Sequence, residues 1–322
     1  MNIIKDAINY SDVYIVPKYS ELVSRDECSL ISIFKYIGFN TPIIPANMDT
    51  ISEFKMVKFM ADIGGIGLFH RYVSLDQIKE IYKYNKSLID NHHGIGFSVG
   101  SILNKEEGEK IDFLLKNTKS LLCFDIANAN SVHGKITLDY IREQDPYRNI
   151  IAGNVATIDG ATNLIQWGAD IVKVGIGPGS VCKTRQNTGI GYPQLQALLD
   201  ISKLNIPMIA DGGFKEIGDF AKALAVPNVM FCMTGRFFAG TDKTPNWVNY
   251  AKKSTYRGMA SKEATNSSKY IEGLIKEVFS EEEGSTNRVF NEIHDGIRSA
   301  MSYVNACTLE EFKKNSEFVF IK

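Results

Sequence analysis

Eight short runs of β-branched and other apolar residues recur at nearly regular intervals along this chain of 322 residues. They span residues 42–48, 65–70, 94–100, 121–127, 150–155, 171–177, 207–213 and 228–235. Runs that are apolar almost throughout, rather than at alternate positions, are typical of strands buried on both faces of a parallel sheet. Successive runs end about 22 to 36 residues apart, which is roughly the length of one strand followed by one helix.

Helix signals fill the intervals between these runs. Ser74 and Gln77 have the spacing of a capping box, and so do Thr308 and Glu311 near the carboxyl end. Eight strands that alternate with helices predict an α/β protein with one (β/α)₈ barrel, the TIM barrel. The alternative is a doubly wound open sheet, which usually has fewer strands and a different first turn.

The domain organisation follows from the same pattern. We interpret residues 1–322 as a single domain, with the barrel strands between about 42 and 235. The segments before and after these strands extend the barrel, and the later one holds a flap and a carboxyl-terminal segment over about 254–322.

Composition excludes several classes of function. Lys and Arg number 36 and Asp and Glu 37, so a net charge of −1 gives no electrostatic basis for binding nucleic acid or an anionic membrane. No apolar run has the length of a spanning helix, and the amino terminus does not have the pattern of a signal peptide. The five cysteines show no metal-binding spacing, which favours free thiols, a reducing compartment and a cytoplasmic location.

Glycines cluster after the last three apolar runs, at 175–194, 211–213 and 234–236. In a barrel these turns meet at the carboxyl ends of neighbouring strands, where backbone N–H groups can hold a phosphate. Ser180 would add a hydroxyl to such a site. One glycine-rich turn alone would be explained by tight turn geometry, but three neighbouring turns favour phosphate binding.

Cys182 is the candidate nucleophile. It lies in the longest of these loops and is followed by Lys183 and Arg185, and cationic neighbours favour the thiolate. Cys123 and Cys232 lie within predicted strands and are expected to be buried and inert. The five histidines are dispersed along the chain, so a Cys/His protease is not supported.

The segment 173–195 resembles the cysteine loop of the inosine-monophosphate dehydrogenase and guanosine-monophosphate reductase family. The resemblance covers nearly the whole chain through further matching strings at 12–17, 24–27, 45–50, 124–131, 151–155, 209–213, 256–261, 272–273 and 296–304. It implies the barrel fold and a homotetramer with a small-molecule substrate.

Three features resemble the reductase branch of this family. Residues 68–83 run directly into the next helix, where dehydrogenases usually carry an inserted regulatory (CBS) module. The strings ANMDT at 46–50 and TGIGYPQL at 188–195 are reductase-like. The segment between Ser261 and Glu272 is short and has no Arg, whereas dehydrogenases activate water with an Arg-Tyr pair on a long flap.

The resemblance therefore implies NADPH-dependent reductive deamination of GMP to IMP and ammonia through a cysteine thioimidate, a step of purine nucleotide interconversion. One alternative is oxidation of IMP to XMP with NAD. This reaction needs a general base, for which Lys269 and Tyr270 are the only candidate pair of residues. The other alternative is a non-catalytic barrel that binds purine nucleotides.

Matching positions imply the roles of individual residues. The catalytic set is Cys182, Thr184 and Glu272, and the substrate-binding set is Ser180, Asp211, Gly212, Gly213, Gly235, Arg236, Gly258, Met259 and Ala260. The cofactor-binding set is Ser24, Arg25, Arg71, Asp125, Ile126, Ala127, Ile176, Gly177 and Lys269, with Arg25 contributed by a neighbouring subunit. The carbonyls of Gly177, Gly179 and Cys182 match a site for K⁺.

Several positions depart from the family pattern. Arg236 stands where relatives have a small residue beside the phosphate, and Lys183 stands where CTTR is usual. Arg257 is dehydrogenase-like, Asn305 interrupts the usual YVGA, and the flap is short even for a reductase. These departures bear on nucleotide preference and turnover rate, whereas the nucleophile and its relay are intact.

Overall fold

The eight predicted strands form one parallel sheet. A computed structural model describes residues 6–248, 250–267 and 269–321. The barrel strands, numbered first to eighth in chain order, are Ile43–Pro45, Gly67–Phe69, Ile95–Val99, Leu121–Asp125, Ile150–Val155, Ile171–Val174, Met208–Asp211 and Val229–Thr234. Each lies within one of the predicted apolar runs.

The order of the strands decides between the two predicted topologies. The first strand pairs with the eighth, and pairing then continues in reverse chain order from the eighth strand to the second. The first and second strands lie side by side, but in the described ranges no backbone hydrogen-bond ladder joins them. The barrel is therefore nearly closed. The predicted barrel is confirmed, because an open doubly wound sheet would reverse its strand order near the middle.

Helices surround the sheet. They are Phe54–Asp62, Leu75–Asn91, Lys105–Asn117, Val132–Gln144, Ile158–Gln166, Thr184–Thr188, Gln194–Ser202, Gly218–Leu224, Lys262–Thr265, Ser285–Ser302 and Leu309–Asn315. Both predicted capping boxes are confirmed, with Ser74 and Gln77 exchanging bonds at one helix start and Thr308 and Glu311 at the other. No helix in the described ranges combines the length and apolar character needed to cross a membrane.

A hairpin closes the amino-terminal end of the barrel. Its strands are Ser32–Phe34 and Ile37–Phe39. Phe34 and Phe39 join the apolar side chains inside the barrel, and the rings of Phe39 and Phe231 meet edge to face with centroids 5.6 Å apart. The barrel interior is therefore filled from this end, which leaves the opposite, carboxyl-terminal end for a site.

Two other strand pairs lie outside the barrel. Val13–Ile15 pairs antiparallel with Phe318–Phe320 and so joins the first and last segments of the chain. Lys253–Arg257 pairs with Ile275–Phe279, and the intervening segment 258–274 is the flap. Asn305 has a left-handed φ of 54°, a conformation that asparagine tolerates better than most residues.

The ring of Phe39 provides a test of the hairpin's role. Phe39→Ala should lower the free energy of unfolding by about 3–5 kcal/mol, because it removes a buried ring that packs on Phe231. Ile33→Ala on the same hairpin is the control: Ile33 is 59% exposed, so its loss should cost less than about 0.5 kcal/mol. Urea denaturation measures both, and equal losses would contradict the role given to Phe39.

His294 should make the fold sensitive to acid. Burial and the nearby Arg298 cation lower the pKa of this histidine to about 4, while its Nε2 lies 2.8 Å from Thr41 Oγ1. Unfolded chain binds a proton below about pH 6.5 whereas the folded protein does not, so stability falls as the pH drops from about 6.5 towards 4.

The slope should be on the order of 1 kcal/mol per pH unit in this range. His294→Gln should flatten it, and His93→Gln, at an exposed position, should not. Urea midpoints measured at pH 7.5, 6 and 5 make the comparison, and an unchanged slope in His294→Gln would refute the assignment.

Candidate active site

A cavity of about 240 Å³ opens at the carboxyl-terminal end of the barrel. It is lined by the loops that follow the barrel strands and by the flap. Sixteen of the predicted site residues line it: Arg71, Asp125, Ile126, Ala127, Ile176, Gly177, Gly179, Cys182, Thr184, Asp211, Gly212, Gly235, Gly258, Met259, Ala260 and Glu272. Residues that lie on separate loops and were predicted to have separate roles therefore line one cavity.

Cys182, Thr184 and Glu272 form a continuous hydrogen-bonded chain. The thiol of Cys182 donates to Thr184 Oγ1 at 3.1 Å, and that hydroxyl donates to Glu272 Oε2 at 2.6 Å. The thiol and the hydroxyl each have one proton to donate, so the hydrogen bonds run in one direction, from the thiol to the carboxylate. A proton can therefore move from the sulfur to Glu272 in two short steps.

The flap holds Glu272 in place through its backbone. Lys183 N donates to Glu272 O at 2.6 Å, and Leu274 N donates to Val181 O at 2.8 Å, which makes a short antiparallel bridge between the flap and the cysteine loop. Asn187 Nδ2 adds a bond to Ile271 O at 2.8 Å. Cys182 and Gly273 are 91 positions apart in sequence and meet because these two backbone segments pair.

The side chain of Arg185 also shapes the cysteine loop. Its guanidinium bonds to Tyr192 O, and its stem packs against Gly177 and Gly191, where a Cβ would lie 2.6 Å from Arg185 Cγ in each case. The side chain therefore folds the cysteine loop back on itself. A side chain at either glycine would therefore displace the stem of this arginine.

A buried lysine that the sequence analysis did not single out lies at the centre of the cavity floor. Lys173 Nζ contacts Asp125 Oδ1 and Asp211 Oδ2, both at 2.8 Å, and its side chain is 3% exposed. Burial lowers the pKa of this lysine, but the two carboxylates outweigh that effect and hold it above its ordinary value. A charged residue in the apolar run of the sixth strand was the available signal, since a buried charge needs partners.

Two asparagines complete this network and also line the cavity. Asn154 Nδ2 donates to Asp211 Oδ2 at 2.8 Å, and Asn154 Oδ1 accepts from Lys173. Asn47 Nδ2 donates to Asp125 Oδ2 at 3.1 Å. The two carboxylates are therefore oriented from several strands at once.

The three glycine-rich turns converge at one side of the cavity. A Cβ on Gly212 would lie 3.5 Å from Gly179 N, and one on Gly235 would lie 2.9 Å from the hydroxyl of Tyr256, which is also 3.5 Å from Ser180 Oγ. Within the described chain the N–H groups of Ser180, Gly213, Gly235 and Arg236 donate to no acceptor, whereas that of Gly212 donates to Met233 O. These free N–H groups can therefore donate hydrogen bonds to an anion. The sequence analysis did not predict Tyr256 as part of this arrangement.

The cofactor-side predictions divide into two groups. Arg71, Ile126 and their neighbours line the cavity, and a second cavity of about 560 Å³ shares Arg71 and Ile126 with it. Ser24, Arg25 and Lys269 are exposed and do not line either cavity. Ser180, Gly213 and Arg236 also lie outside the residues that line the main cavity.

The cysteine loop presents backbone carbonyls at the positions predicted for K⁺. In the described chain Gly177 O and Cys182 O accept no hydrogen bond, and Gly179 O accepts one from Cys182 N at 3.0 Å. Carbonyl oxygens with free lone pairs are suitable ligands for a hard cation. No cluster of three acidic, histidine or cysteine side chains suited to a metal occurs within the described residues.

Arg257 has a clear structural partner. Its Nε and Nη2 bond to Asp49 Oδ2 at 2.9 and 2.6 Å, which ties the first flap strand to the loop after the first barrel strand. Arg257 therefore ties the start of the flap to the barrel.

Comparison with known proteins agrees with this site. A family model described as "IMP dehydrogenase / GMP reductase domain" matches residues 7–322. Proteins named GMP reductase from Yersinia pestis (strain Pestoides F) and Yersinia pseudotuberculosis (serotype O:1b, strain IP 31758) are each 36% identical to this chain over 333 residues, covering 97% of this chain and 94% of the relative. The chain belongs to the IMP dehydrogenase / GMP reductase family.

Proposed function

We propose that this protein catalyses the NADPH-dependent reductive deamination of GMP to IMP and ammonia. The observation that carries the proposal is the chain from Cys182 through Thr184 to Glu272 at the wall of the barrel cavity. The relatives' name and the family's oxidoreductase chemistry support it. The short flap gives no arginine near the thiol for activating water, which favours the reductase over the dehydrogenase.

The thiol begins the reaction by adding to C2 of the guanine. As the sulfur–carbon bond forms, Thr184 takes the thiol proton and passes its own to Glu272, so Cys182 attacks as a thiolate. An amine leaves readily only when it is protonated. The proton held by Glu272 returns through Thr184 towards the departing amine, so ammonia is released and a thioimidate joins Cys182 to the purine.

Hydride addition at C2 then expels the thiolate and gives IMP. A reduced nicotinamide bound against Asp125, Ile126 and Ala127 would supply that hydride. The second cavity, entered past Arg71 and Ile126, offers room for the rest of the dinucleotide. Arg71 is a cationic side chain that lines both cavities. We therefore assign to it a contact with the cofactor phosphates.

The cavity floor binds the ribose of the nucleotide, and the glycine-rich turns bind its phosphate. Asp211, oriented by Lys173 and Asn154, accepts bonds from the two ribose hydroxyls. The free N–H groups of Ser180, Gly213, Gly235 and Arg236 bind the phosphate. This assignment places Arg236 beside the phosphate through its backbone, while its exposed guanidinium can add an ionic contact.

Three further features belong to this proposal. K⁺ bound by the carbonyls of Gly177, Gly179 and Cys182 would fix the cysteine loop by charge and coordination. Assembly as a homotetramer would bring Arg25 from a neighbouring subunit to the cofactor. A cytoplasmic location agrees with free thiols.

A paired assay tests the reaction and its nucleophile. Wild-type protein with K⁺, GMP and NADPH should consume NADPH while IMP and ammonia appear. Cys182→Ala should lower kcat by at least about 1,000-fold and leave GMP binding within a few-fold, and Glu272→Gln should lower kcat about 100- to 10,000-fold.

Cys307→Ala, at a thiol distant in sequence from the loop, is the control and should keep full activity. Formation of NADH and XMP from IMP and NAD⁺ would instead identify a dehydrogenase. GMP binding without turnover in either assay would favour the non-catalytic nucleotide-binding barrel.

Asp211 should make the enzyme selective for ribonucleotides. Removing the 2′-hydroxyl takes one hydrogen bond from a charged acceptor, worth about 1.5–3 kcal/mol, so kcat/KM for dGMP should be about 10- to 100-fold below that for GMP. In Asp211→Asn this ratio should shrink towards one. Steady-state kinetics with both nucleotides measure it, and equal kcat/KM values in the wild type would rule out this role of Asp211.

A further inference from the structure

The flap begins with a β-turn that faces the active-site cavity. Ser261 N donates to Gly258 O at 2.9 Å, and neither Met259 nor Ala260 has a positive φ, which is the pattern of a type I turn. Gly258, Met259 and Ala260 all line the cavity. Within the described chain the N–H groups of Met259 and Ala260 donate to no acceptor, so both are available to a ligand.

Tyr72 fixes the orientation of the central peptide of this turn. Its hydroxyl donates to Met259 O at 2.6 Å, and Arg71 Nη2 donates to the same hydroxyl at 3.0 Å. Burial raises the pKa of Tyr72, so the hydroxyl keeps the proton that it donates. A bond received from a cation polarises the hydroxyl and strengthens the bond that it gives to the turn.

The position of Tyr72 determines where the other side of that peptide points. Tyr72 lines the second cavity and also another cavity, which Asp49 and His70 line, but it does not line the active-site cavity. The Met259 carbonyl that it contacts is therefore directed away from the site. In a trans peptide the N–H of the next residue points the opposite way, and Ala260 N–H therefore faces the active site. The flipped, type II turn would need a positive φ at Ala260, which alanine disfavours.

The other end of the turn is anchored independently. The ion pair of Arg257 with Asp49 and the bond from Arg257 N to Thr50 Oγ1 at 3.3 Å hold the residue before Gly258. Glu272 N and Gly273 N both donate to Ala260 O at 3.0 Å, which holds the residue after Met259. With both ends fixed and the flipped turn disfavoured at Ala260, the bond from Tyr72 sets the tilt of the central peptide within the type I turn.

We propose that Tyr72 is a positioning residue: through its bond to Met259 O it holds the turn so that Ala260 N–H meets the exocyclic oxygen on C6 of the purine. This inference rests on the proposed function for the placement of the base. An oxygen at C6 accepts the hydrogen bond, whereas an amino group at C6 would set one donor against another. Tyr72 acts through the turn and does not touch the nucleotide.

The test compares two ligands on the same variants. Isothermal titration without nicotinamide measures binding of GMP and of 2-aminopurine riboside 5′-monophosphate, which lacks the oxygen at C6 and with it the N1 proton. Tyr72→Phe should weaken GMP binding about 3- to 10-fold and change binding of the analogue by less than about 2-fold. Tyr84→Phe, which removes a hydroxyl from a 71% exposed tyrosine, is the control and should alter neither affinity.

The ratio of the two affinities separates positioning from general damage. Both ligands are measured on one preparation of Tyr72→Phe, so partial unfolding would lower both apparent affinities and cannot change the ratio. In steady-state assays the same variant should raise KM for GMP more than it lowers kcat.

Equal weakening of both ligands, or no weakening of either, overturns the role of Tyr72. Failure of the proposed function is a separate result, because the wild type would then not convert GMP to IMP with NADPH even if its two affinities follow the expected pattern.

Discussion

A lysine ammonium inside a barrel is stable only where opposite charges surround it, and at Lys173 these charges come from two different strands. Asp125 at the end of the fourth strand and Asp211 at the end of the seventh both contact it at 2.8 Å. The side of the cavity that we assign to the cofactor and the side that we assign to the ribose are thereby held by one cation. Loss of Lys173 would leave both carboxylates without their shared partner, so the geometry of the two halves depends on it.

Above this floor, the cysteine loop and the flap are built as one unit. The backbone bridge at Cys182 and Gly273 sets Glu272 beside Thr184, and Arg257 and Tyr72 tie the flap to loops after the first two barrel strands. A long flap can move between open and closed positions, whereas this short one is bonded at several points. Such pre-organisation reduces the entropy lost when substrate binds, at some expense of freedom to open.

Periodicity predicted the barrel well because burial on both faces of a parallel strand leaves a direct signal in the chain. All eight apolar runs contain a barrel strand, and the capping boxes at Ser74 and Thr308 start helices as predicted. Cys182 was predicted as a nucleophile from its loop, and Thr184 and Glu272 as its relay from the family resemblance, and the structure brings these three residues together. Tyr72 was missed because a single tyrosine in a loop has no periodic or motif context, and its role arises from a distant backbone atom, Met259 O. Tyr256 was missed because only the folded chain brings its hydroxyl near Ser180 and Gly235.

The sequence by itself determined the strands, the apolar core and the residues whose chemistry suits a thiol-based reaction, since these follow from local pattern and residue type. Tertiary structure alone decided which polar groups meet. Lys173 lies 48 residues from Asp125 and 38 from Asp211 in sequence, yet it contacts both. Contacts of this kind depend on how strands close into a barrel, because closure sets side by side the ends of strands that are far apart along the chain.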